Sequence, residues 1–318
     1  MSYCLHRSQG GLRLLAAVLF VALSCAVVER SAAQTSADTD RADLGRSQTG
    51  LPLTGGVEGQ VPPSPNDADL GEQAILKRSD SYQPFTAAVA LPFYWTSNVA
   101  LSRSHEQSDW LLAPVAALAY QPKLTDTLFG VVSVREQLFY YNRFSGLNFG
   151  SFDAEAGLIY QMPQLHNLIL RGQFVYNRLT DKNSFDDFFS NYSILVNAEL
   201  PFRIGRAQQL SLGVDANISI DANPEPPRRH DYETYIGYSL NVTRALTFDA
   251  VGRLVVRQYQ LTDRVDVSEV IAASANYNLT KYLTASAIST FAANQSSNSI
   301  FDYKVGNLGG IISLSVRF

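Results

Sequence analysis

Leu308-Gly309-Gly310-Ile311-Ile312-Ser313-Leu314-Ser315-Val316-Arg317-Phe318 is the stretch on which the fold turns. Counting back from Phe318, every second residue is large and apolar: Val316, Leu314, Ile312 and, past Gly310, Leu308. Between them stand Arg317, Ser315, Ser313 and Gly309. Period-two alternation of this kind describes a strand with one apolar and one polar face. In a soluble protein a strand stopping on an exposed Phe would leave an unprotected edge, whereas a closed barrel has no edge to protect.

The alternation ending in Leu314, Val316 and Phe318 resembles the C-terminal strand that the assembly machinery of the outer membrane recognises in bacterial β-barrel proteins. The resemblance implies an all-β fold, a transmembrane antiparallel up-and-down barrel. It implies outer-membrane lipid and the barrel assembly machinery as partners, with Phe318, Val316 and Leu314 as the assembly signal.

The other end of the chain agrees. Arg7 and Arg13 flank an apolar run from Leu14 to Leu23, and Ser31-Ala32-Ala33 follows. These are the three regions of a secretory signal peptide over residues 1–33, cleaved after Ala33. The run is too short for a spanning helix. Leu23-Ser24-Cys25 leaves open a second processing route, with Cys25 lipidated. Both cysteines, Cys4 and Cys25, lie in this segment, so the chain cleaved after Ala33 has no disulfide, cysteine nucleophile or thiolate metal site. A net charge of -4 argues against nucleic acid as a partner.

Residues 34–81 contain no aromatic residue and carry prolines at 52, 62, 63 and 65. Such a segment buries too little apolar surface to offset its chain entropy. Residues 34–82 therefore read as a disordered periplasmic linker, with one short helix possible over Leu70 to Arg78. Its role stays open between a spacer, a plug entering the pore and a tether to a periplasmic partner.

From residue 83 to 318 the composition changes to aromatic and alternating. Tyr120, Tyr160, Leu200, Tyr238 and Tyr277 recur 38 to 40 residues apart. Each period holds two strands of roughly ten to fourteen residues, a length that suits a tilted strand crossing a bilayer better than a propeller blade. The pattern predicts strands over 84–101, 110–120, 128–142, 152–162, 168–179, 188–202, 210–220, 231–242, 246–258, 267–278, 283–293 and 305–318. Connections at 121–127, 163–167, 203–209, 243–245 and 279–282 are the tight ends, and those at the other end read as longer and more polar. Twelve strands place both termini in the periplasm.

The faces follow from alternation. Leu210, Leu212, Val214, Ala216, Ile218 and Ile220 face lipid, as do Tyr232, Ile236, Tyr238, Phe248 and Leu254. A lipid-facing Arg or Lys at mid-membrane costs about 2–4 kcal/mol, and Arg135, Arg171, Arg253 and Arg257 all fall on the inward register. Glu269 falls outward near the rim. Glu136 falls outward in mid-strand, which predicts a bulge or register change in the third strand. Aromatic belts are expected at both interfaces, with Tyr94, Trp95, Trp110, Tyr140, Phe188, Phe189 and Tyr192 in the outer one.

The candidate lumen lining is Arg135, Asp153, Glu155, Arg171, Glu199, Asp215, Glu233, Asp249, Arg253 and Arg257. Neither sign dominates, and Arg171 is expected beside Asp153 and Glu155. The set reads either as a salt-bridged network filling the interior or as a polar pathway for small hydrophilic solutes. The expected function is thus an outer-membrane channel or transporter. The alternative is a closed structural or adhesive barrel working through its outer loops. Outer-membrane hydrolases carry catalytic His with Ser or Asp. Here His105, His166 and His230 stand in loops or turns without a His-x-Ser motif, so no enzyme, cofactor or metal site is expected.

Overall fold

In the computed structural model, residues 34–46, 82–181, 186–205 and 207–318 are described. The expected signal peptide, Cys25, the Leu70 to Arg78 helix and the rest of the linker over 47–81 lie outside the described residues.

The strands are β1 (85–96), β2 (109–112), β3 (115–120), β4 (128–141), β5 (149–162), β6 (168–181), β7 (187–203), β8 (208–223), β9 (229–241), β10 (246–259), β11 (265–278), β12 (283–296) and β13 (303–317). β2 and β3 each pair antiparallel with both β1 and β4, every later strand pairs with its sequence neighbours, and β13 pairs with β1, so the sheet closes. The closure runs from Thr86 opposite Arg317 to Thr96 opposite Asn307 without a register shift. Phe318 continues it, exchanging both backbone hydrogen bonds with Phe85 at 3.0 and 3.1 Å. The Phe318 ring stacks on Phe85, which in turn stacks on Tyr120.

β2 and β3 are one stave of the wall. Both pair with β1 in the same register, Phe93 opposite Leu112 and Ala90 opposite Val115. Pro114 divides them because it has no N–H to give β4. Its carbonyl still accepts from Leu138 at 3.0 Å, and Ala113 donates to Pro92 at 2.9 Å, so the wall is continuous. The barrel therefore has twelve staves.

Three of the short connections share one device. Leu124-Thr125-x-x-Leu128, Val242-Thr243-x-x-Leu246 and Leu279-Thr280-x-x-Leu283 each turn with the Thr hydroxyl accepting backbone N–H groups two and three residues on, at 3.0 to 3.3 Å. The first residue of each motif donates its N–H to the closing Leu carbonyl. This is a side-chain-to-backbone turn, and its recurrence underlies much of the sequence repeat. At the opposite end the first connection is longer than expected, since β1 stops at Thr96 rather than running to 101, and the others are shorter. The strands run on through 221–223, 229–230, 295–296 and 303–304 instead of stopping at the membrane boundary. The two ends are called here the turn end and the loop end.

Outward faces are as the alternation predicts. Leu212, Val214, Ile236, Phe248, Leu254, Ile312 and Leu314 are exposed on the outer surface. Three expectations are corrected. First, no bulge relieves Glu136. The register of β4 is unbroken against both neighbours, from Leu128 to Phe139 on β5. Glu136 faces outward, opposite Ala116 and Phe152, with Arg178 on the same outer face. Arg178 in turn lies 5.8 Å over the Phe152 ring and 3.4 Å from Asp187. Secondly, Tyr94 and Phe189 do not join the outer belt. They turn inward into a buried cluster with Leu111, Phe139 and Leu179, whereas Trp95, Trp110 and Tyr192 remain exposed.

The third correction concerns the N-terminal segment. Residues 34–46, read as disordered, form a helix, α1, and most of it is buried. It touches β4, β5, β9, β10 and β13, which one short helix reaches together only from inside the barrel. All these contacts are at the loop end, opposite the end that holds Tyr82 and Phe318. These N-terminal residues therefore do not share an end with the C-terminus, where the sequence reading puts both termini.

Candidate functional site

The helix seals one end of the lumen, and its own sequence shows how. Asp38 pairs with Arg41 and Asp43 with Arg46, each three residues apart on the helix surface. Ala42 is fully buried among Val99, Leu111, Ala113 and Phe139. Leu44, on the other side of the helix, packs with Leu101, Val270, Ala292, Tyr303 and Val305. Gly45 lies against β4 so closely that a Cβ there would meet the Phe139 ring at 2.5 Å. Only glycine permits that approach.

The polar side of the seat is built from arginines of the wall. Arg229 Nη1 is 2.7 Å from Asp40, and Nη2 is 2.5 Å from Asp43. Arg257 Nε is 4.0 Å from Asp40, and the Tyr303 hydroxyl donates to the same carboxylate at 3.4 Å. Ser36 shares a hydrogen bond with the Tyr259 hydroxyl at 3.1 Å and accepts one from Arg264 at 3.2 Å. Arg264 is sandwiched between the Tyr259 and Phe301 rings and bonded to Asp266. At the inner tip, Arg46 reaches Asp153 at 3.1 Å. Arg41 donates to the Val99 carbonyl at 2.9 Å.

Burial dominates the titration of Asp38 and raises it. For Asp43 burial pulls the same way, but Arg46, Arg229 and Arg257 outweigh it and hold the carboxyl below its ordinary range.

Below α1 the lumen is hollow. A cavity of about 210 Å³ runs beside the helix, lined by Thr39, Asp43, Asp153, Arg228, Arg229 and Asp231. It shares Asp43, Arg46 and Asp231 with a cavity of about 480 Å³ under the helix tip, lined further by Asp215, Glu233 and Arg253. That one shares Asp215, Glu233 and Arg253 with a third of about 350 Å³. The third shares Gly237 and Val251 with a fourth of about 270 Å³ near Gln209 and Asp249. The four lie in a row along β5 to β12, from the loop end toward the turn end, and their lining passes from polar beside α1 to more apolar in the last two.

The residues expected to line the lumen fall as follows. Asp153 takes Arg46 and a hydrogen bond from Asn177 at 2.7 Å. Arg135 lies opposite Asp153 in the register. Glu155 accepts from Gln173 at 3.2 Å. Arg171 does not pair with Asp153 or Glu155 as expected. The register sets it opposite Ile159 and Asn197, and its ion pair is with Glu199 at 3.2 Å. Asp215 is held by Asn197, and Arg253 stands 3.6 Å from Glu233. Asp249 accepts from Asn276 at 2.7 Å. Arg257 donates to Asn294 at 3.3 Å. His230, one of the histidines weighed for catalysis, accepts a backbone hydrogen bond from Ser219 at 3.2 Å.

The sequence reading missed Asp40, Asp43, Arg46, Arg229 and Arg264. Three acids and two arginines within nine residues, 38–46, were the available signal, in a stretch otherwise read as solvated.

No family model matches this chain, and no curated protein matches it. Among solved structures, an outer membrane channel from Pseudomonas putida F1 superposes with a TM-score of 0.52 at 12% identity, over 77% of this chain and all of that one. The NanC porin aligns at 0.43 and 11%, over 71% and 98%. The outer membrane phospholipase A of Escherichia coli aligns at 0.41 and 12%, over 79% and 97%. The first of these shows the fold to be that of outer-membrane β-barrels. The other two lie too far for argument, and porin and lipase stand side by side among them.

Proposed function

We propose that this protein is an outer-membrane channel for small hydrophilic solutes, with α1 as a stopper at the loop end of its lumen. The carrying observation is the row of four neighbouring cavities along the lumen, polar beside and under α1, which a barrel serving only as scaffold or adhesin does not need. Salt-bridged pairs such as Arg171–Glu199 and Arg253–Glu233 stiffen the wall without filling it. Lumen charges of both signs suit polar solutes rather than one class of simple ion. In this reading the turn end with Phe318 is periplasmic, the loop end faces outward, and the assembly machinery reads Phe318, Val316 and Leu314. Residues 1–33 are the export signal, and 47–81 link the stopper to the first stave.

Single-channel recording in planar bilayers tests this. The intact protein should give small or infrequent steps, and a variant lacking residues 34–46 should give large, stable ones. A correctly folded barrel that stays silent in both forms would sink the channel reading and favour a closed barrel acting through its loops.

A further inference from the structure

The stopper is seated in a way that an apolar plug would not need. Two carboxylates three residues apart, Asp40 and Asp43, enter one cluster of wall cations and hydroxyls. Arg229 binds both, Arg257 faces Asp40, and Tyr303 donates to Asp40. The guanidiniums of Arg229 and Arg257 are buried, with side chains 8% and 5% exposed. What the wall itself offers them is modest. Arg229 has Asp231 at 3.1 Å, and Arg257 has the amide oxygen of Asn294 at 3.3 Å. Buried cations need carboxylate partners, and removing one is costly. With α1 withdrawn, the guanidiniums of Arg229, Arg257 and Arg264 and the hydroxyls of Tyr259 and Tyr303 would keep two wall carboxylates, Asp231 and Asp266, which leaves one guanidinium in excess.

We infer that this cluster is a binding site for a small solute bearing two carboxylates, and that Asp40 and Asp43 occupy it in cis. The inference rests on the channel reading for its purpose, though not for its chemistry. Two carboxylates at (i, i+3) on a helix lie one side-chain neighbour apart, with Cβ atoms about 5–6 Å from each other. A four-carbon diacid spans a similar distance. Guanidinium groups recognise carboxylate through paired N–H donors, which a hydroxyl or amide solute cannot match. The approach exists already. The cavity beside α1 is lined by Arg228, Arg229 and Asp43, so a solute reaches the edge of the site while the helix is still seated. Binding there competes with Asp43 first and Asp40 next. A ligand favouring the helix-out state shifts the population toward it, so the solute releases its own stopper. Because the tethered carboxylates compete at high effective concentration, free diacid acts at about millimolar levels.

The test uses the protein as purified from the outer membrane, with a fluorophore on Thr35→Cys at the start of α1. Succinate is the probe, and succinamide, of the same shape but uncharged, is the control. Succinate should shift the label signal and raise the single-channel current, and succinamide should do neither. Asp43→Asn should lower the succinate concentration needed by about tenfold, since one of the competing carboxylates is gone. Arg229→Gln and Arg257→Gln, each checked for folding by heat-modifiable mobility, weaken the seat and the site together, so they should raise the current without succinate and lose the response to it. A label that ignores succinate, or answers succinamide equally, overturns the site. The two readings fail separately. Large currents on deleting residues 34–46 with no label response leave the channel and remove the site. A label response without current in any variant leaves the site and removes the channel.

Discussion

The two ends of this lumen are made of the same strands and are built on different principles. At the loop end, inward side chains close around α1, and Phe139, Leu179 and Ala42 lose all or nearly all exposure. On the β8 to β11 side of the turn end the inward side chains are Gln209, Ser211, Ser239 and Asp249, Asp249 accepts from Asn276, and space remains between them. The loop end is a core around α1, whereas the turn end is a core only on its β4–β6 side, where Phe129, Val131, Ile159 and Ile169 are buried, and a vessel on the side of β8 to β11. A core reports on volume and a vessel on charge, so substitutions at the two ends should act on different observables.

The largest expected effect comes from abolishing the difference. Deleting residues 34–46 should convert the loop end into a second vessel, with conductance rising several-fold. Next is Gly45→Leu. A Cβ at Gly45 already meets Phe139 at 2.5 Å, and overpacking of this kind costs about 1–3 kcal/mol. The stopper should be mostly unseated, and the open-time fraction should rise while the thermal unfolding of the barrel changes little. If the channel stays as quiet as wild type, α1 is not held by the contact with β4.

Acid sharpens the comparison. Asp43 sits below the usual carboxylate range, so its hold on the arginines is complete above that range and vanishes only as pH falls through its lowered value. Asp38 is raised by burial, and its protonation on the way down favours the seated helix. The two signs oppose each other, so the stopper should survive mild acid and release only well below about pH 4, the ordinary carboxylate value. Open probability measured against pH should rise late; a rise near pH 5 would contradict the assignment of Asp43.

A smaller change is expected at the vessel end. Asp215→Asn removes one charge from the path, and should shift the reversal potential in a salt gradient toward anions with no change in open time. Smallest is Arg178→Ala on the outer wall. It leaves Glu136 without its basic neighbour in the membrane, and lipid-facing charges cost a few kcal/mol at most, less for acids than for bases, so roughly 1–2 kcal/mol is expected in detergent unfolding. Glu136→Gln in the same background should restore it.

How far the sequence reveals this molecule follows the same divide. The staves were legible because lipid imposes strict alternation, as in Leu212, Val214, Ile236 and Phe248, and because five tight ends punctuate them. The inward register of Arg135, Arg171, Arg253 and Arg257 followed from the cost of charge in hydrocarbon. Pairing partners were less legible. Arg171 chooses Glu199 over Glu155 because of a stagger between staves that no single strand encodes. A plug was among the roles left open for residues 34–82, but the stopper's helix and seat were illegible for a stronger reason. Its helix has one buried Leu and two alanines for an apolar surface, and its stability comes from Arg229, Arg257 and Arg264, almost two hundred residues or more away. Composition predicts disorder where the partner is not local. Tyr94 and Phe189 were misplaced from the same cause: aromatics near a rim read as an interface belt until something inside the barrel claims them.

The seam between β1 and β13 carries a kinetic consequence. Thr86 and Arg317 face each other across some 230 residues of chain. Closing so large a loop is slow and entropically unfavourable, and contacts this distant in sequence reward the chain only after nearly all others exist. Until that moment β1 and β13 are two bare edges. The eleven hairpin contacts can accumulate in stages, but the last pairing is all-or-none. The unfolding rate of the finished wall should be governed by this seam, where Phe318 is stitched to Phe85 at the very margin.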